Sequence, residues 1–341
     1  MNLADLNKVA EAMVAPGKGI LAADESTGTI KKRFDAIGAE NTEDNRRDYR
    51  ELMFRSGEAM SKHISGVILY DETIWQKAKD GTPLVDVIKK AGAIPGIKVD
   101  EGTKPLPNCP GELVTIGLDK LADRLAKYYE QGARFAKWRA VIDIGQGIPS
   151  YTCILANAHA LARYAALCQA AQIVPIVEPE VLMDGSHDID RCAEVTTWVL
   201  KETFQQLFYN RVELEGIVLK PNMAVPGKKS AKKASVAEVA EKTVKMLKDC
   251  VPGAVPGIAF LSGGQSDEDA TAHLDAMNKI GNLPWKLTFS YGRALQAAPQ
   301  KAWSGKSENV AAAQRAFAHR AMMNGLASLG QWKQDLEKKA A

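Results

Sequence analysis

The chain has 341 residues, 46% of them hydrophobic and 25% charged, the proportions of a soluble globular protein. Forty-four Lys and Arg stand against 41 Asp and Glu, a net +3 that excludes a strongly polyanion-binding chain but leaves room for a small cationic pocket. No apolar run approaches the roughly 20 residues of a bilayer span, and the stretch from Met1 to Val9 carries acidic residues and no apolar signal region.

Residues 1 to 15 read as an extra helix. Short apolar runs then recur, most of them closed by charged or hydroxyl residues. Gly19–Ala23 ends at Asp24, and Gly66–Leu69 at Tyr70-Asp71-Glu72. Ile94–Val99 carries Lys98, and Phe135–Ile142 carries Lys137 and Arg139. Ile173–Val177 ends at Glu178-Pro179-Glu180, and Gly216–Leu219 at Lys220. Ile258–Leu261 ends at Ser262-Gly263-Gly264, and Leu287–Phe289 at Ser290-Tyr291-Gly292. Helical periodicity fills the segments between, as in Ala156–Ala171 and Val236–Leu247. Glu308–Leu329 reads as a closing amphipathic helix and 331–341 as a short polar tail. Eight strand–helix units predict one α/β domain over 1–341, a closed (β/α)8 barrel with added N- and C-terminal helices. A doubly wound open sheet is the runner-up. It would normally place a Gly-rich turn after the first strand, where this chain has Ala22-Ala23-Asp24-Glu25-Ser26.

In such a barrel the C-terminal strand ends share one mouth, so residues far apart in sequence converge. Positions two apart point the same way along a strand, which pairs Lys137 with Arg139 and Glu178 with Glu180, and turns Lys220 inward with Val218. Lys98, Lys137 and Lys220 beside Asp24, Glu178 and Glu180 make a mixed-charge pocket. Any one pair could be a structural salt bridge, but the whole set is a costly way to stabilise a core. The loops Ser262-Gly263-Gly264-Gln265-Ser266 and Ser290-Tyr291-Gly292-Arg293 follow the seventh and eighth strands and open onto helices. Glycine lets backbone N–H groups approach an anion, helix N-termini favour negative charge, and Arg293 can add a bidentate contact, so these loops predict a phosphate site.

The five histidines have no HxxxH or HExxH spacing, and His187 sits in what reads as a polar turn with an Asx cap, so no metal is expected. A phosphorylated substrate, a strand-end lysine among carboxylates and no metal motif together suggest imine chemistry. Lys220 attacks a ketone, the protonated imine draws electrons from the neighbouring carbon–carbon bond, and carboxylates move the protons.

These residues resemble the class I fructose-1,6-bisphosphate aldolases. The resemblance runs in order through Ala15–Ser26, Gly96–Asp100, Phe135–Arg139, Val177–Glu180, Leu219–Asn222, Phe260–Ser266 and Thr288–Leu295. It implies a (β/α)8 barrel, usually tetrameric, that reversibly cleaves fructose 1,6-bisphosphate to dihydroxyacetone phosphate and glyceraldehyde 3-phosphate. It implies that Lys220 is the Schiff-base lysine, Glu178 the main proton shuttle and Asp24 the carboxylate that takes the C4 hydroxyl proton. Lys137 would orient substrate, with Glu180 and Arg139 in support. Ser262, Gly263, Gly264, Ser290, Gly292 and Arg293 would surround the 1-phosphate, and Ser26, Thr29, Arg33 and Lys98 the 6-phosphate. Thr29 departs from the usual serine but keeps a hydroxyl. The last tyrosine is Tyr291, so the C-terminal tyrosine of the animal and plant enzymes has no counterpart, and enamine protonation falls to another group such as Glu178 or water.

The expected partner is a sugar bisphosphate, with no cofactor, nucleic acid or membrane, in a homo-oligomer that the resemblance makes a homotetramer. Five scattered cysteines without a CxxC pair point to reduced thiols and a cytoplasmic location. Two other readings stay open at this point: a different lysine-dependent sugar-phosphate aldolase or transaldolase, and a non-catalytic barrel scaffold.

Overall fold

In the computed structural model, which describes residues 2–339 (Lys339 by its backbone alone), eight parallel strands close into a barrel. They are β1 (Gly19–Ala23), β2 (Ile64–Leu69), β3 (Ile94–Lys98), β4 (Phe135–Ile142), β5 (Val174–Val181), β6 (Val218–Leu219), β7 (Gly257–Phe260) and β8 (Lys286–Tyr291). Each strand pairs with the next in sequence and β8 returns to β1, so the order around the barrel is the order along the chain. Helices lie between the strands and cover the outside, which is why the strands read as continuous apolar runs rather than alternating ones. The (β/α)8 architecture expected from the sequence is the one observed, and the open sheet is excluded by the β8–β1 pairing.

Strand alternation divides the core in two. Leu21, Val67, Ile97, Ala136, Val177, Leu219, Phe260 and Phe289 point outward into the helix layer. Ile20, Ile68, Phe135, Ile176, Val218 and Ala259 point inward and form a separate cluster. That inner cluster is closed from below by the helix Leu3–Met13, which contributes Leu6, Ala10 and Met13. Asn2 starts this helix, its side chain accepting from the N–H groups of Ala4 and Asp5. Phe135 is fully buried across the barrel axis, a burial that stabilises by roughly 1.5–3 kcal/mol. Its ring needs bare backbone beside it, since a Cβ on Gly96 would lie 2.2 Å from the ring and one on Gly66 2.8 Å. The apolar lower half thereby seals the barrel, and the next inward positions, two residues further up each strand, form the floor of the mouth.

Two of the observed strands run past the predicted ends at this mouth, while β3 and β7 stop one residue short of theirs. β5 continues through Glu178-Pro179-Glu180 to Val181, and β8 through Ser290 to Tyr291. The apolar run stops there because the inward positions become polar, but the backbone keeps pairing, Arg139 with Glu178 and Val141 with Glu180. β6 is shorter than predicted because Leu214–Gly216 forms a 3-10 turn before it. Beyond β6 the Lys220 N–H still donates to the Val177 carbonyl at 2.8 Å. Pro221 then lacks a donor, and the buried Asn222 side chain replaces the ladder by accepting from the Val181 N–H at 2.9 Å. A short antiparallel ribbon, Thr103–Pro105 with Leu113–Thr115, was not foreseen.

The helix Val310–Ala327 packs on the barrel's helix layer, with Phe317 and Ala321 buried. The segment expected to be a short polar tail contains a docked 3-10 turn, Gln334–Lys339. Glu337 anchors it by accepting from Arg320 Nη1 at 2.5 Å and Trp332 Nε1 at 3.0 Å, with His319 Nε2 at 3.1 Å. Among the described residues no helix is long and apolar enough to cross a membrane.

Candidate active site

The mouth of the barrel encloses about 810 Å³, within the roughly 300–1,000 Å³ typical of small-molecule sites. Its floor is made by residues one inward step above the apolar cluster: Asp24 above Ala22, Lys137 above Phe135, Glu178 above Ile176 and Lys220 above Val218. The strands hold all four within reach of one another. Lys137 Nζ lies 2.6 Å from Asp24 Oδ2 and 3.6 Å from Glu178 Oε2, and Lys220 Nζ lies 3.2 Å from Glu178 Oε1. The side chains of Lys137, Lys220 and Glu178 are no more than 5% exposed, so the two ammonium groups share the field of two carboxylates with little water between them. Glu178 Oε2 is buried and has no hydrogen-bond donor, although its carboxylate stands between both lysines.

Burial by itself would push the Asp24 carboxyl up, but the ammonium groups of Lys137 and Lys220 and the hydrogen bond from Lys137 outweigh it and bring its pKa to about 2. Burial likewise works against the Lys137 ammonium, and the carboxylates of Asp24, Glu178 and Asp100 reverse this and hold its pKa above the ordinary lysine value. A carboxyl whose folded pKa is depressed contributes stability that is present above its unfolded value, 3.8, and is lost as pH falls through about 2. For Asp24 that contribution is on the order of 2 kcal/mol. A carboxyl-detected NMR titration is expected to place the Asp24 midpoint near 2. A midpoint at 3.8 would show that the lysines do not hold its charge.

The cavity wall carries the remaining groups. Arg139 donates through Nε to Glu180, and against the cost of burial this carboxylate keeps the guanidinium pKa above its usual value. Lys98 Nζ is 2.8 Å from Asp100 Oδ1, and the other Asp100 oxygen accepts from the Arg139 N–H at 3.3 Å. Ser262, Gly263, Ser290 and Gly292 line the opposite side, and the Ser290 hydroxyl is buried without a partner. Ser26 and Thr29 line the rim, their hydroxyls 3.1 Å apart.

Three of the expected site residues sit differently from the sequence reading. Arg33 was grouped with Lys98, but its Nη2 is 3.7 Å from where a Cβ on Gly292 would be, which puts it with the β8 loop, three strands round the barrel from Lys98. Arg293 is exposed at the start of the helix Arg293–Trp303 and does not line the cavity. Gly264 does not line it either. It makes the β7 loop's turn at φ +78°, where a side chain would also meet Met183. Sequence reasoning passed over Glu25, Asp100, Arg124 and Tyr128, all of which line the cavity. Asp100 had a signal, since it follows Lys98 by two residues. Tyr128 had none, because it comes from a helix; its hydroxyl donates to Asp71 at 2.6 Å. The Asp184–Asp188 turn does end in a cap, with the Asp188 side chain accepting from the Arg191 N–H at 3.0 Å. Among the described residues no group of three or more His, Cys, Asp or Glu is arranged to hold a metal ion.

The family model "Fructose-bisphosphate aldolase class-I" matches residues 5–341. A Xanthomonas campestris protein described as "Probable fructose-bisphosphate aldolase class 1" is 59% identical over 98% of this chain and 100% of its own. The Arabidopsis thaliana "Fructose-bisphosphate aldolase 4, cytosolic" is 56% identical over 94% of this chain and 82% of its own. A solved fructose-bisphosphate aldolase from Plasmodium falciparum, in complex with TRAP and a small-molecule inhibitor, superposes with a TM-score of 0.94 at 49% identity, over 97% of this chain and 96% of that one.

Proposed function

This chain belongs to the class I fructose-bisphosphate aldolases, lyases that cleave fructose 1,6-bisphosphate, and from that premise we propose that Lys220 is the amine that carries the sugar. The observation that carries this reading is the buried contact of Lys220 Nζ with Glu178 Oε1 at 3.2 Å, at the floor of a cavity with cationic groups on two sides.

Lys220 passes a proton to Glu178 and the freed amine attacks the C2 ketone; the proton returned by Glu178 reaches the carbinolamine hydroxyl, which leaves as water. The resulting iminium is an electron sink. Asp24 takes the C4 hydroxyl proton, the C3–C4 bond breaks, and its electron pair moves into the iminium to give an enamine while C4 departs as the aldehyde. Protonation of the enamine at C3, by Glu178 or water, and hydrolysis release the three-carbon ketone phosphate and the free lysine. Lys137 suits the cationic role beside these steps, because Asp24 and Glu178 keep it protonated. The Asp24 carboxylate is held ionised by Lys137, so it is in the unprotonated form that this step needs.

Cations on two sides favour a bisphosphate over a monophosphate substrate. Ser262, Gly263, Ser290, Gly292 and Arg33 face one phosphate, and Lys98, with Arg139 beside it, faces the other, Ser26 and Thr29 standing at the rim. Arg293, exposed at the helix start, would reach the first phosphate only by swinging inward. The homotetramer and the cytoplasmic location are further proposals, supported by the family resemblance and, for location, by the cytosolic Arabidopsis relative.

Borohydride trapping tests the imine. Incubation with dihydroxyacetone phosphate and borohydride should leave one stable adduct, mapped by peptide mass to Lys220, and EDTA should change neither trapping nor turnover. An unmodified protein would return the case to a scaffold, and an adduct on another lysine would overturn the assignment.

A further inference from the structure

Glu25 follows Asp24 and points the other way, out of the barrel axis, yet it still lines the cavity edge. Its side chain is 4% exposed. Oε1 accepts from Arg33 Nη1 and from Gln296 Nε2, the latter at 2.7 Å. Oε2 is buried with no hydrogen bond, 3.9 Å from Arg50 Nη2. Arg50 is fully buried. It donates to the Glu25 carbonyl at 2.8 Å and to Thr73 Oγ1 at 2.6 Å, and lies 3.6 Å from Glu72, which Arg46 grips at 2.5 Å. Arg33, Glu25, Arg50, Glu72 and Arg46 are thus five alternating charges. Three positive groups against two negative ones leave one positive charge in excess.

The end of this chain that lines the cavity is Arg33. One of its terminal nitrogens is held by Glu25 and the other, Nη2, is 3.7 Å from the Cβ position of Gly292, which follows the strand whose Ser290 hydroxyl is buried without a partner. Gln296 donates both to Glu25 and, at 2.6 Å, to the Ala22 carbonyl, so the carboxylate that holds Arg33 is itself tied to β1 and to the helix that follows the Gly292 loop. A guanidinium on a flexible stem loses side-chain freedom when it binds an anion, unless a partner has already fixed it.

We propose that Glu25, backed by Gln296 and Arg50, is a positioning residue that fixes Arg33 for the phosphate on the β8 side of the cavity. The carboxylate holds Nη1 of Arg33 and leaves the outer nitrogen, Nη2, for the anion. Glu25 makes no contact with the phosphate and acts through Arg33 alone. This inference rests on the reading above that Arg33 and the Gly292 loop take up a phosphate.

The test is a double-mutant cycle read by competitive inhibition with inorganic phosphate and by the split between KM and kcat for fructose 1,6-bisphosphate. Glu25→Gln keeps the shape and removes the charge; it is expected to raise the phosphate Ki and the KM about fivefold, with a smaller change in kcat. In an Arg33→Ala background, which itself weakens inhibition, Glu25→Gln should add nothing. Gln296→Met, which removes the second donor on Glu25, is the companion variant should Glu25→Gln fail to fold, and it should raise Ki in the same Arg33-dependent way. Equal effects of these changes with and without Arg33 would mean a merely structural role and would overturn the inference. So would unchanged Ki in Glu25→Gln while Arg33→Ala weakens inhibition, leaving the phosphate reading intact. Inhibition insensitive to Arg33→Ala would overturn both.

Discussion

Lys220→Ala is expected to lower kcat by about 10⁴-fold or more, because without the amine no covalent electron sink forms and the C3–C4 bond has nowhere to send its electrons. The fold should survive. Lys220 closes a two-residue strand whose neighbours, Asn222 and Val177, are held by backbone and amide hydrogen bonds that do not involve the side chain. Its loss takes one of two cations from a buried cluster and leaves Glu178 with Lys137 alone at 3.6 Å, so the thermal midpoint should fall while the fold is kept. Far-ultraviolet circular dichroism and the thermal midpoint check the fold, steady-state kinetics the rate. Turnover within tenfold of wild type in a folded variant would sink the imine mechanism.

Glu178→Gln is the second large effect. The amide fills the same volume, so packing is nearly unchanged, but it can neither give nor accept a proton in the way a carboxyl does. General acid–base catalysis contributes typically about 10²–10⁴-fold, and a loss in that range is expected in kcat. The position of the carboxylate sharpens the expectation. Its Oε1 is 3.2 Å from Lys220 Nζ, where the proposed carbinolamine would lose water, whereas Asp24 contacts Lys137 instead. Glu178→Gln should therefore slow borohydride trapping in step with turnover, while Asp24→Asn should slow cleavage and still trap. Trapping at the wild-type rate in Glu178→Gln would move the dehydration step to another group.

How the sequence exposed this site is clear from the strands. Phe135, Lys137 and Arg139, or Ile176, Glu178 and Glu180, can be read as one face because alternation is strict and local. Eight runs in order made a barrel the economical answer, and a barrel brings those faces together. What alternation did not carry was distance across the mouth. Arg33 lies in a helix just after β1, and only the closure of β8 onto β1 reveals that it stands beside Gly292 rather than beside Lys98. Arg293 follows a glycine loop in the manner of an anion ligand, yet the helix it starts turns its side chain to solvent. Glu25, Gln296 and Arg50 come from three separate elements and carry no motif; they meet only in the folded packing. The upper ends of β5 and β8 were misjudged because apolar content and backbone pairing stop at different residues at a polar mouth.

The anchoring of Glu337 has a practical side. Arg320 is 5% exposed and spends one arm of its guanidinium on that carboxylate, the other on the Asp267 carbonyl and Thr271. Trimming the protein back to Lys333, whether by a protease or by design, would strand a charge in the interior beside the helix that begins at Asp267, and a penalty of roughly 3–5 kcal/mol is the usual scale for such a loss. A shortened product should thus melt markedly earlier and, since that helix directly follows the Ser262–Ser266 loop proposed to face a phosphate, show a higher Ki for inorganic phosphate as well.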